Sequence, residues 1–242
     1  MSSRRLLLVV ALSCAMGVFG VPTANSAGGP LIVLDPGHNG GNAANPGELD
    51  RLVPAGRGNT KPCNTTGTST DAGYPEHAFT WDVSLRVRDL LAARGVQVVM
   101  TRNDDAGFGP CVDERAAIGN RSVADAVVSI HADGATPTGA GFHVAHSAPP
   151  LNESQGEPSL RLAQAMRDAF VGSGFVPSNY AGSGGLQERA DLAGLNLADR
   201  PAVLVECGNM RNPVEAAVLS APEGRQHYAQ AIADAILQYV GA

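Results

Sequence analysis

Apolar residues fall into two kinds of stretch that alternate from residue 31 onward. Residues 31–35 (LIVLD), 96–100 (VQVVM), 126–130 (AVVSI) and 202–206 (AVLVE) are short, nearly unbroken apolar runs. They read as strands, and the first and last, lacking a polar face, as strands buried on both sides. Residues 140–146 offer a further strand. Between these runs lie stretches with helical spacing. In residues 76–94, Phe79, Val83, Val87 and Leu90 recur on one helical face, and Gly95 ends the helix. Residues 112–121, 158–172, 212–220 and 223–240 are the other helices. Residues 39–75 and 173–200 show no period. The first of these is rich in Gly, Asn, Thr and Pro, and a loop of that length is uncommon and usually functional. Strands alternating with helices predict an α/β fold: a single domain with a mostly parallel twisted sheet flanked by helices.

The start of the chain departs from this pattern. Arg4 and Arg5 precede an apolar run at residues 6–21, which falls short of the ~20 residues of a membrane span. Small residues follow at Ala24, Ser26 and Ala27. Residues 1–27 are therefore expected to be a signal peptide, cut near Ser26 or Ala27, and residues 28–242 the working domain. An uncleaved N-terminal anchor is the rival. Cys14 sits inside the run without a lipobox, so lipidation is not expected. Ser3-Arg4-Arg5-Leu6 faintly resembles a twin-arginine signal, which leaves the export route open. No later segment is apolar enough to span a membrane, so no stable span is expected after cleavage.

Charge and cysteines narrow the partners. The net charge is −6, and removing Arg4 and Arg5 leaves 15 basic against 23 acidic residues, net −8. An acidic chain gains nothing from a phosphate backbone, which argues against nucleic acid. Export would place Cys63, Cys111 and Cys207 in an oxidising compartment. Three thiols allow one bridge. Cys63 and Cys111 lie in loop-like segments, whereas Cys207 follows a buried strand, so the expected intramolecular disulfide is Cys63–Cys111. No C-x-x-C spacing suggests a cysteine metal site.

The candidate chemistry sits at strand ends. His38 follows the first strand through a D-P-G-H turn, His131 directly follows residues 126–130, and Glu206 closes residues 202–206. In a parallel sheet these carboxyl ends share one edge, where ligands bind. Glu76 opens a helix that returns from the long loop to that edge. Two imidazoles and a carboxylate suffice for a catalytic zinc site with one open position, and a further carboxylate beside it would move protons. Plainer readings stand beside this one. Either histidine could be a hydrogen-bonded surface residue, Glu76 a first-turn carboxylate facing the helix dipole, and Glu206 the partner of a nearby arginine.

The motifs LIVLDPGHNG, PEHAFTWDVSLRVRDLLAARGVQVVMTR, ERAAIGNRSVADAVVSIHAD and RPAVLVECGNMRN run through residues 31–212 in order. Together they resemble the zinc-dependent N-acetylmuramoyl-L-alanine amidases (the amidase_3 family). The resemblance implies one Zn2+ held by His38, Glu76 and His131, with Glu206 as the catalytic glutamate. It implies hydrolysis of the amide between the lactyl group of N-acetylmuramic acid and L-alanine. The substrate would be peptidoglycan or a muropeptide, and the exported protein would act in the periplasm or cell wall or be secreted, as a monomer. Asn209 stands where the family commonly has Phe, and His77 where it often has Lys. The rivals are another zinc amidohydrolase or peptidase of the wall, and a non-catalytic wall-binding relative.

Further residues carry lesser expectations. Asp35 and Ser129 are placed to orient a ligand histidine, or in the case of Asp35 simply to form the turn. His143 and His146, on opposite faces of a strand, are expected not to ligate metal. Gln187 and Arg189 are candidates to hold peptide carboxylates, and His227 is expected to be structural. Loop 39–75, tied by Cys63–Cys111, is expected to gate substrate access or to act only as a stabilising strap.

Overall fold

With no polar position between Leu31 and Leu34, strand β1 (Leu31–Pro36) has no face to offer to water, and it occupies the interior of a sheet with Ile32, Val33 and Leu34 fully buried. The structure is a computed structural model describing residues 28–242; the expected signal peptide at 1–27 lies outside the described residues. After β1 come a 3₁₀ turn (Asn42–Ala44), the one-turn helix α1 (Pro46–Leu49), and a hairpin of β2 (Leu52–Gly56) and β3 (Asn59–Pro62). Helix α2 (Glu76–Ala92), β4 (Gln97–Met100), α3 (Val112–Arg121) and β5 (Ala126–Asp133) follow. Then come β6 (His143–Ser147), α4 (Glu157–Gly172), β7 (Leu186–Arg189) and the short α5 (Ala193–Asn196). The chain closes with β8 (Ala202–Asn209), α6 (Pro213–Ser220) and α7 (Pro222–Val240).

Six strands form one sheet in the order β4-β1-β5-β8-β6-β7. The first four run parallel, β6 pairs antiparallel with β8, and β7 runs parallel to β6. The sheet is thus mostly parallel, as expected, with a reversed pair at one edge. The chain winds from β1 through α2 to β4, then back through α3 to β5 on the other side of β1. That reversal opens a crevice at the carboxyl ends of β1 and β5.

The two sheet faces are covered unequally. Ile32, Leu34, Val128, Ile130, Val203 and Val205 pack under α2, α4 and α7 as the main core. Val33, Val127, Ala145 and Ala202 face a thinner layer of α3, α5 and the hairpin. Helix α2 buries Phe79, Val83, Val87 and Leu91, while Leu90 only flanks the core. Segments 39–75 and 173–200 are not wholly irregular: the first holds α1 and the hairpin, the second β7 and α5. The Cys63–Cys111 disulfide is present, with Cα atoms 4.4 Å apart, and ties the hairpin to the start of α3. No helix among the described residues is long and apolar enough to cross a membrane.

Candidate active site

The D-P-G-H turn after β1 is held by two buried arginines. Arg115 of α3 donates through Nη1 to Asp35 Oδ1 (2.8 Å) and to the Pro36 carbonyl (2.6 Å), and through Nη2 to the His38 carbonyl (2.8 Å). Arg102, just past β4, donates to the Pro36 carbonyl at 3.0 Å and to the His77 carbonyl at 2.9 Å, fastening the turn to the first turn of α2. Thr80 adds a hydroxyl on the Gly37 carbonyl at 2.7 Å. The turn needs this grip because His38 sits at φ 60, a left-handed conformation that costs a non-glycine residue about 1–2 kcal/mol. Gly37 has no room for a side chain, since a Cβ there would lie 2.3 Å from His131 Cε1.

Held this way, His38, Glu76 and His131 converge. Glu76 Oε1 lies 3.1 Å from His38 Nε2 and 2.9 Å from His131 Nδ1. One ligand atom from each residue falls within 4.8 Å of the others, a group able to hold a metal ion. Bonds of about 2.0 Å in a tetrahedral zinc site would set ligand atoms ~3.3 Å apart, close to the 3.1 and 2.9 Å from Glu76 to the two histidines. The outer contacts suit such a site. The Thr65 carbonyl lies 3.1 Å from His38 Nδ1, which leaves Nε2 free to ligate. The Thr68 N–H holds Glu76 Oε2 at 2.9 Å and turns Oε1 toward the histidines. Burial alone would raise the Glu76 pKa, but the charge of His38 and hydrogen bonds from both histidines hold it well below the usual carboxylate range. Burial likewise works to lower the His38 pKa, and the Glu76 carboxylate overrides it and raises it.

Glu206 stands opposite. In the sheet it is the register partner of His131 on β5 and of His143 on β6, so the three side chains share one face in a row. A register shift between His131 and Asp133, just past this row, marks a bulge of the kind that re-aims side chains beside sites. Glu206 Oε2 is buried without a hydrogen-bond partner. Burial, and then the negative charges of Glu76 and Asp133, push its pKa well up, while Arg189 pulls it down. All four residues line one cavity of about 440 Å³, whose walls include Lys61, Asn64 and Thr65 from segment 39–75 and Val127, Leu195 and Leu204 from the thinner layer.

The lesser candidates separate. Asp35 does not touch a histidine. It accepts from Thr101 (2.6 Å), Ser129 (2.6 Å) and Arg115 (2.8 Å), and so steers the ligand turn through Arg115. His146 points away from His143 and the site, on the opposite face of β6. Gln187 and Arg189 lie on edge strand β7 rather than in a loop, and Arg189 already binds Asp191 at 2.6 Å. His227 packs on Phe175 with ring centroids 4.6 Å apart. Cys207 is buried on the main-core side, and burial raises its thiol pKa well up. Asn209 is buried and spends its amide on the 135–139 loop, donating to the Thr136 and Gly139 carbonyls at 2.8 and 2.9 Å. Arg102 and Arg115 were the residues the sequence reading passed over. The signal for Arg115 is position: in the run ERAAIGNR it stands five residues before Asn120, which fixes the Leu197 carbonyl at 2.9 Å.

Comparison with known proteins agrees with this geometry. The sequence model of the family described as N-acetylmuramoyl-L-alanine amidase (Amidase_3) matches residues 32–238. The N-acetylmuramoyl-L-alanine amidase Rv3717 of Mycobacterium tuberculosis is 50% identical over 226 residues, covering 93% of this chain and 92% of the relative. The crystal structure of the N-acetylmuramyl-L-alanine amidase Ami1 from Mycobacterium smegmatis superposes with a TM-score of 0.86 at 55% identity, covering 90% of this chain and 99% of that one. The amidase AmiC2 of Nostoc punctiforme superposes at 0.67 and 26% identity, covering 90% of this chain and all (100%) of that one. The chain belongs to the N-acetylmuramoyl-L-alanine amidase family, hydrolases of the bacterial cell wall.

Proposed function

We propose that this amidase works with one zinc ion on His38, Glu76 and His131, and with Glu206 as its catalytic carboxylate. It would cleave the amide between the lactyl group of N-acetylmuramic acid and L-alanine in peptidoglycan or its fragments. Residues 28–242 would be the catalytic domain and residues 1–27 an export signal, delivering a monomer to the periplasm or cell wall. The observation that carries the reading is the convergence of three ligand atoms within 4.8 Å of one another, in a cavity that Glu206 also lines. Two imidazoles and a carboxylate suit zinc, which hard oxygen-only sites do not.

When bound, the ion supplies Lewis-acid polarisation of the lactyl carbonyl and makes water acidic enough to attack near neutral pH. The chain's own residues do the rest. Thr65 and Thr68 keep the ligand atoms aimed. Glu206 then takes the proton of the attacking water at its unpartnered carboxyl oxygen. It returns a proton to the alanine nitrogen, which leaves as an amine only once protonated. Val127, Leu195 and Leu204 give the cavity an apolar wall beside these residues.

Glu206→Gln is expected to retain stoichiometric zinc while kcat falls by about 10²–10⁴-fold, the usual worth of acid–base assistance. Elemental analysis and muropeptide mass spectrometry check both halves. Loss of zinc from the variant, or unchanged release of stem peptides with a free alanine amine, would overturn the assignment. Cleavage elsewhere in the muropeptide would point to the rival peptidase chemistry.

A further inference from the structure

Among the described residues, five buried side-chain atoms have no hydrogen-bond partner, and three belong to residues gathered at one place: Glu206 Oε2, His143 Nδ1 and Tyr180 Oη. Buried polar atoms are nearly always paired, so such a gathering calls for a cause. His143 and Glu206 are register partners on antiparallel strands, which puts their Cβ atoms about 4.5–5.5 Å apart on one face, within reach of a side-chain hydrogen bond. His143 is 2% exposed. Tyr180 meets it edge-on, with ring centroids 6.0 Å apart at 89°, and fixes the plane of the imidazole. Burial, and then the charges of Asp133 and Glu206, push the Tyr180 hydroxyl's pKa up, and Asp133 is the side chain nearest to partnering it.

We infer that His143 is a positioning residue for Glu206: its neutral imidazole donates from Nδ1 through one bridging water to the Glu206 carboxyl, and holds that carboxyl toward the proposed metal ligands. The inference rests on the proposed role of Glu206. Burial favours the neutral ring by lowering the His143 pKa, against a pull from Asp133. A neutral imidazole carries one N–H, so the arrangement requires the Nδ1–H tautomer. A neutral donor steadies the carboxyl without adding the positive charge that would blunt it as a base. The row His131–Glu206–His143 then has a division of labour, with a metal ligand on one side of Glu206 and a holder on the other.

Three substitutions and one spectrum test this. His143→Leu removes the donor. His143→Asn returns an N–H near the Nδ1 position, and His143→Gln carries its amide farther out, near Nε2. Leu and Gln are expected to lower kcat about 10- to 100-fold, as loss of an orienting partner does, with KM and zinc content unchanged. Asn is expected to restore most of the loss. Nitrogen-15 imidazole spectra of the metal-free wild-type protein are expected to show His143 protonated at Nδ1, with that resonance moving in Glu206→Gln. The spectrum decides even where a variant fails to fold. An Nε2–H tautomer, wild-type kcat in His143→Leu, or equal behaviour of Asn and Gln would overturn the inference. Glu206→Gln is assayed alongside. If it keeps full turnover, the role of Glu206 falls and the inference falls with it. If it is inactive while the His143 variants are not, the inference alone falls.

Discussion

At the scale of single residues, the site is organised less by its ligands than by what grips them. Asp35 is the centre of that grip. Burial by itself would raise its pKa, but the Arg115 charge and hydrogen bonds from Ser129 and Thr101 bring it down from 3.8 to about 2. A carboxyl depressed in the folded state contributes stability above its unfolded pKa and loses it as pH falls through the folded one. The contribution is therefore complete above about pH 4 and is lost on acidification toward pH 2, with a size of about 2 kcal/mol. Between pH 6 and about pH 2, urea unfolding of the metal-free wild type should lose about 2 kcal/mol more stability than Asp35→Asn does; equal losses would count against the clamp. The four principal residues could be read from the sequence because each follows or closes an apolar run, or opens a helix. The clamp could not. Arginine is mostly exposed, and nothing in the spacing of α3 says that Arg115 turns inward, at 4% exposure, to serve a turn 77 positions away in sequence.

At the scale of elements, the disulfide is the feature with the clearest energetic consequence. It closes a stretch of 48 residues, worth about 4 kcal/mol on the chain-entropy account. Cys63→Ser with Cys111→Ser should lower stability by about 2–4 kcal/mol, read as a lower urea midpoint with a steeper slope, because the unfolded chain without the bridge is more expanded. Turnover counted per folded molecule then reports separately on segment 39–75: a change marks a gate, constancy a strap. Most elements were plain in the sequence because burial on both faces leaves unbroken apolar runs, as in β1, β5 and β8. The hairpin was not, because Pro54 and Gly56 interrupt the short strand LVPAG, and β3 (NTKP) is nearly all polar. Strand β7 (LQER) hides for a related reason, since an edge strand carries polar and charged residues against unwanted pairing. The reversal of β6 left no trace in composition, because strand direction is set by connections and not by side chains.

At the scale of the whole molecule, the proposed metal would be linked to the fold, because the three residues that would hold it come from the turn after β1, from α2 and from β5. An ion that binds only the folded chain stabilises it by about 2.7 kcal/mol at a hundredfold excess over Kd. For a domain of this size that corresponds to a rise in melting temperature of about 5–10 °C. Differential scanning calorimetry with chelator and with added zinc should show such a rise, and His38→Ala should abolish the zinc-dependent shift even though loss of its pairing with Glu76 lowers the metal-free melt as well. A shift that persists in the variant would move the ion elsewhere. The left-handed backbone of His38 bears on how that ion arrives. Its carbonyl is pinned by Arg115 and its ring by Thr65, so contacts within the chain itself hold the awkward bend. If the proposed ion binds there, the socket would be ready-made: ions could leave and re-enter without the surrounding polypeptide having to melt and re-form.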